Sequence, residues 1–397
     1  MELSSRVQAI KPSPTLVVTA RAAKLKAEGR DIIGLGAGEP DFDTPQHIKD
    51  AAIDAINRGF TKYTAVSGTP SLKKAIIDKF QRDNGLAYTA KQILVSCGGK
   101  QSFFNLVQAV INPGDEVIIP APYWVSYPDI VILADGKPVI IEAGIEQGFK
   151  ITPEQLKAAI TARTKMVVLN SPSNPTGAVY SQAELAALGA VLRDYPQVLI
   201  ATDDMYEHIR LTDAPFVNIL NACPDLYSRT MVLNGVSKAY SMTGWRIGYA
   251  AGPEAIITAM ENVQSQSTSN PTSISQVAAE AALNGDQGCI TPMLQAFRER
   301  HVFVVDALNA ISGVKCLPAG GAFYAFADVR PAIAKLSAAG KIVAATDVAL
   351  SEYLLEQGGV AVVPGSAFGA EGYMRLSFAT SMQNLQQAIE RIGKALS

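Results

Sequence analysis

Short apolar runs alternate with longer segments of helical periodicity through the middle of this chain. The runs are Gln92–Ser96, Glu116–Pro120, Pro138–Glu142, Lys165–Asn170, Val198–Thr202, Thr230–Asn234 and Ile247–Ala251. Most are apolar at consecutive positions rather than at every second one, the pattern of strands covered on both faces. Between them, Gln101–Ile111 and Ser181–Arg193 place apolar residues at helical spacing. This order predicts an α/β fold built on a large, doubly wound, mostly parallel seven-stranded sheet that binds ligands at its strand ends.

The pattern changes over the last hundred residues. Gly321–Val329, Val360–Val363 and Met374–Ala379 read as strands, with helices near Ala345–Gln357 and Met382–Leu396. This predicts a smaller α+β domain, joined to the sheet domain by a long helix through roughly Thr291–Ile311. The expected division is residues 1–40 as an N-terminal segment, 41–295 as the large domain and 296–397 as the small one.

Composition removes several classes of function. The 397 residues carry a net charge of -2, which gives no attraction to nucleic acid. No apolar run approaches the ~20 residues that span a bilayer, and the N-terminus lacks a sustained apolar stretch of the secretory kind. A cytoplasmic location is expected. Cys97, Cys223, Cys289 and Cys316 have no paired short spacing, and only His47, His208 and His301 accompany them. That set predicts no metal site.

The chemistry centres on Lys238, just past an apolar run, with Arg246 eight residues later. A desolvated amine at a strand end is partly neutral and nucleophilic. An arginine nearby holds an anion while the amine bonds an aldehyde of the same small molecule. Pyridoxal 5′-phosphate carries both groups; the alternative is an ordinary surface lysine and arginine. Asp203 follows the run Val198–Thr202, where a carboxylate keeps a pyridine nitrogen protonated. An aspartate there also serves simply as a helix cap. The Tyr206 phenol, three residues on, reaches a ring oxygen. In Ser171-Pro-Ser-Asn-Pro-Thr-Gly177, two prolines and a glycine fix a turn that holds the Asn174 amide at the sheet edge.

These segments, in this order, resemble the class I pyridoxal-phosphate-dependent aminotransferases of fold type I, the aspartate aminotransferase family. The resemblance covers nearly the whole chain. It is strongest to a bacterial branch, through GAGEPDFDTP (36–45), KYT (62–64), GGKQ (98–101), APYWVSYP (121–128), SPSNPTG (171–177), DDMYEH (203–208) and SKAYSMTGWRIGY (237–249). It implies transamination by two half-reactions, with Lys238, Asp203 and Tyr206 as the catalytic set. Gly99 and Lys100 open the phosphate cup with Arg246, the Trp124 indole stacks on the pyridine ring, and Arg375 takes the substrate α-carboxylate with Gly38 and Asn174. Tyr63 matches a tyrosine that reaches the neighbouring subunit's phosphate, which implies a homodimer with shared sites. Other reactions of fold type I, such as β-elimination, use the same core motifs. A ligand-sensing module fused to a DNA-binding head would need an added N-terminal helix-turn-helix, and the chain starts directly in the aminotransferase pattern.

Two departures bear on the site. Relatives often carry a hydroxyl three residues before the lysine; here that residue is Gly235, and Ser237 is the adjacent hydroxyl. The animal-type branch reads a distal carboxylate with an arginine five residues before the asparagine of a Ser-Asn-Pro motif. Ser269-Asn-Pro271 is present, but the corresponding position is Ser265. The resemblance puts Lys100 in that role, with Lys11, Ser13 and Thr15 on an N-terminal segment near the mouth. A single ammonium accepts more substrate shapes than a guanidinium fork. The expected substrates are aspartate, glutamate and their 2-oxo acids, with prephenate as a bulkier third.

Overall fold

The computed structural model describes residues 3–10, 12 and 14–397. Its large sheet runs in the order Ile93–Ser96, Gly248–Ala251, Thr230–Gly235, Leu199–Asp203, Thr164–Asn170, Glu116–Ala121, Lys137–Glu142. All seven expected strands are present. Gly248–Ala251 is antiparallel to both neighbours and the other pairs are parallel. Successive residues of one strand feed different cores: Val167 and Leu169 pack on one side of the sheet, Met166 and Val168 on the other. Burial on both faces is why the strands other than the edge strand Lys137–Glu142, which is mostly exposed or half-buried, lack polar alternation.

Local signals set the helix ends. Gln182–Arg193 starts where Ser181 Oγ accepts from the Glu184 N–H at 3.3 Å and Glu184 Oε2 accepts from the Ser181 N–H at 2.7 Å. Asp347–Gly358 starts at the Thr346 cap and ends at Gly359, whose φ of +65° is left-handed.

A four-stranded antiparallel sheet, in the order Val363–Pro364, Tyr373–Ser377, Tyr324–Asp328, Lys315–Cys316, forms the smaller part. The helix Thr291–Asn309 packs against it and against Met382–Leu396. Residues 33–35 bond to this part. Ile33–Gly34 pairs in parallel with Val360–Ala361, and the Ser377 N–H donates to Leu35 O at 2.7 Å.

Two expected strands change. Val360–Val363 is not one strand: Val360–Ala361 pairs with Ile33–Gly34, while Val363–Pro364 pairs with Met374 and Arg375 in the other sheet. All four residues are buried, so periodicity contains no sign of the exchange of partner. Gly321–Val329 begins as a strand only at Tyr324, because Gly321 and Ala322 bond instead to Gly177 O and Ile209 O. Among the described residues, no helix is long and apolar enough to cross a membrane.

Candidate active site

Parallel strands deliver their C-terminal ends to one edge of the large sheet, and Asn170 and Asp203 stand side by side there. Asp203 accepts from the Tyr127 hydroxyl at 2.5 Å and from the Met205 N–H at 3.2 Å. Among the described residues, no lysine or arginine pairs with it within 4.0 Å. Desolvation raises its carboxyl above the usual carboxylate range, opposed by the Tyr127 hydrogen bond and the Lys238 charge. Such a carboxylate is a ready partner for a cation set against it. Tyr206, three residues on, shares a 2.8 Å hydrogen bond with the Tyr324 hydroxyl.

The adjoining strand Thr230–Gly235 leads to Lys238, whose Nζ donates to Gly38 O at 2.6 Å and lies 5.9 Å from the Tyr206 ring centroid. Burial, aided by the Arg246 charge, pushes its ammonium down to about 8; Glu39 and Asp203 pull the other way. Gly235, where the resemblance leads one to expect a hydroxyl, is tightly packed against backbone. A Cβ there would lie 3.0 Å from Ile247 O and 3.1 Å from Gly248 Cα.

An anion cup lies beside the lysine. Gly98, at φ +88°, precedes the helix Gly99–Val110, whose first amides have no partner within the helix. Arg246, itself in the left-handed region at φ +56°, is steadied by Thr243 O at 2.9 Å and Cys97 O at 3.3 Å. A Cβ on Gly98 would sit 2.3 Å from Arg246 Nη2, so the guanidinium needs the glycine. A second, buried cation lines the same cavity. Arg375 donates to Asn174 Oδ1 at 2.9 Å and Gly36 O at 2.6 Å, and its Nε has no partner. The Tyr324 and Phe368 rings stack around it, at 4.5 Å and 4.9 Å. Its guanidinium is held ready for one more acceptor.

Residues 30–392 match the family model of aminotransferase class I and II. The chain belongs to that family. Aspartate/prephenate aminotransferase of Nitrosomonas europaea is 71% identical over the full length of both proteins. The protein of the same name from Cereibacter sphaeroides is 56% identical over 98% of this chain and 97% of its own. Among solved structures, aspartate aminotransferase of Rhizobium meliloti superposes with a TM-score of 0.94 at 52% identity, covering 100% of this chain and 99% of that one. Aspartate aminotransferase of Thermus thermophilus with maleate gives 0.93 at 44% identity, with full coverage of both.

The cofactor of this aminotransferase is pyridoxal 5′-phosphate, and the donor set fits it: a depressed lysine amine, a carboxylate without a cation, and a glycine cup closed by an arginine. One cavity of about 420 Å³ brings together Gly38, Gly99, Lys100, Trp124, Asn174, Asp203, Tyr206, Ser237, Lys238, Arg246 and Arg375. Lys100 Nζ lies 5.2 Å from the Trp124 ring centroid, and partial burial and Arg246 lower its ammonium. Thr15 lines the wall as well, with Thr19 below it. Tyr63 is outside its own chain's cavity and 92% exposed. Lys11 and Ser13 fall outside the described residues. Ser265 is not at the cavity; its hydroxyl donates to Asn262 O at 2.7 Å in its own helix.

Sequence reasoning missed three supports. Tyr127 holds Asp203 and lies within APYWVSYP, so the motif contained it without showing its use. Asn170 accepts the Asn174 N–H at 2.9 Å and donates to Asp203 O at 2.9 Å, binding the two strand ends together. Tyr324 comes from the smaller sheet, and nothing in its neighbourhood along the chain marks it.

Proposed function

We propose that this aminotransferase exchanges the amino group of aspartate or glutamate with oxaloacetate or 2-oxoglutarate, and takes prephenate as a bulkier oxo acid. The observation that carries this reading is that two cations line one cavity with the Lys238 amine: Arg375, with its unsatisfied Nε, and Lys100. An amino acid with carboxylates at both ends meets a partner at each. The names of the relatives support aspartate and prephenate among these.

Pyridoxal phosphate, when bound, supplies an aldehyde for the lysine and a protonated pyridine ring that takes up the electron pair released at the substrate α-carbon. Lys238 Nζ would be the site of attachment and, when free, the base that takes the α-carbon proton and returns it. Asp203 would hold the proton on the ring nitrogen. Tyr206 and Asn174 would hydrogen-bond the ring oxygen, Trp124 would take the ring face, and Ser237 lines the wall with the lysine. Arg246 and the amides of Gly99 and Lys100 would hold the phosphate. Arg375, Asn174 and the Gly38 backbone fix the α-carboxylate so that the α-hydrogen faces Lys238.

Lys100→Ala is expected to lower kcat/KM for aspartate by about thirtyfold, the worth of one hydrogen bond to a charged group, and to change alanine far less. Steady-state kinetics with both donors checks this; equal losses would remove Lys100 from the distal carboxylate. Lys11, which the resemblance puts near the pocket mouth, belongs to the same reading, and an unchanged prephenate rate in Lys11→Ala would take it out of the site.

We also infer a homodimer with shared sites. Tyr63 stands free at 92% exposure, with Ile53, Ile56 and Phe60 exposed nearby on the same stretch, a surface that a second subunit would cover while Tyr63 reaches its phosphate. The domain division at residues 40 and 295 is retained as part of this proposal.

A further inference from the structure

The segment carrying Asp203 and Tyr206 and the strand carrying the chain toward Lys238 stop pairing early. Their last backbone bond runs from the Asp204 N–H to Leu233 O at 2.9 Å. Beyond it a side-chain tie takes over. Glu207 Oε1 accepts from Asn234 Nδ2 at 2.7 Å, and Asn234 Oδ1 accepts from the Gly235 N–H at 2.7 Å. Behind this tie, Glu207 accepts from Lys79 Nζ and from Asn84 Nδ2 at 2.7 Å, while Lys79 also donates to Asn84 Oδ1 at 2.8 Å. Lys79, Glu207 and Asn234 are 1%, 3% and 2% exposed. A buried carboxylate with three donors has one low-energy position.

Glu207 follows Tyr206 directly, and Asn234 lies four residues before Lys238. We propose that Glu207, acting through Asn234, is a positioning residue for transamination: it fixes the Tyr206 phenol relative to the Lys238 amine by tying their two segments together where the sheet no longer does. The Lys79 pair anchors the tie to the helix Pro70–Lys79.

This proposal rests on attachment of the cofactor at Lys238, so the test separates the two. In holoenzyme, Asn234→Ala is expected to lower kcat about tenfold with KM for the amino donor little changed, as for a displaced reacting group. The near-violet absorption of the lysine-linked cofactor should persist, with its pH midpoint moved upward by about half a unit as Tyr206 loses its alignment. Glu207→Ala should do the same. Glu207→Gln keeps the acceptor for Asn234 and is expected to keep kcat within about threefold, although it melts earlier because Lys79 faces a neutral amide. If Glu207→Ala does not fold, Asn234→Ala decides alone. A normal kcat and an unmoved midpoint in Asn234→Ala would overturn the proposal, whereas absence of the absorption band in the unaltered holoenzyme would overturn the attachment beneath it.

Discussion

Lys238→Ala is expected to abolish the near-violet absorption of the holoenzyme and nearly all transamination. Among the described residues, two other amines are engaged elsewhere: Lys100 lies against Trp124, and Lys79 is held by Glu207. Lys238 Nζ is the amine held between Gly38 O and the Tyr206 ring, facing the end of Asp203's strand. The loss should be about a millionfold in kcat, comparable to removal of a nucleophile that is also the base. A spectrum of the purified variant mixed with pyridoxal phosphate, and a single-turnover assay with aspartate, check it. Retention of the band would rule out the assignment. The lowered ammonium makes a related prediction. A protonated amine is no nucleophile, so the rate at which cofactor-free protein takes up pyridoxal phosphate should climb about tenfold per pH unit below the Lys238 midpoint and level off above it. Burial places that midpoint at about 8, and stopped-flow absorbance over about two pH units on either side spans it. A flat profile would show that the amine is not the group being titrated.

Asp203→Asn should have the second largest effect, about a thousandfold in kcat, because an amide cannot hold a proton on the ring nitrogen as a carboxylate does. Desolvation makes the unpaired carboxylate costly to charge in the protein alone. A cation placed against it removes that cost, so the carboxylate and a protonated ring stabilise each other. KM for aspartate should change far less, since the proposed α-carboxylate partners are Arg375 and Asn174, which bond each other at 2.9 Å and not Asp203. Comparable losses in both constants would mean that Asp203 supports the fold rather than the ring.

How much could be read from the residues depends on the range of the interaction involved. Seven apolar runs sufficed for seven strands; in all but the edge strand Lys137–Glu142, burial on both faces leaves a mark in consecutive positions. Lys238, Arg246, Asp203 and Asn174 were readable because each sits at a strand end or in a turn, where local sequence sets the direction of the side chain. Arg375 was readable by contrast, as a charge inside an apolar run. The split of Val360–Val363 left no mark, since both halves are equally buried and only the identity of the partner strand differs.

The sequence by itself therefore determined the layered α/β fold, the family, and which residues could carry an amine, a carboxylate and an anion cup. Tertiary structure decided what steadies them. Tyr127 on Asp203, Tyr324 on Tyr206, Asn170 between two strand ends, and Glu207 on Asn234 each join residues from 27 to 118 positions apart, except where Asn170 reaches its own turn. Such contacts depend on the register of parallel strands and on the docking of the smaller sheet. Neither is written in hydrophobic periodicity, which records that a side chain is buried and not what it is buried against.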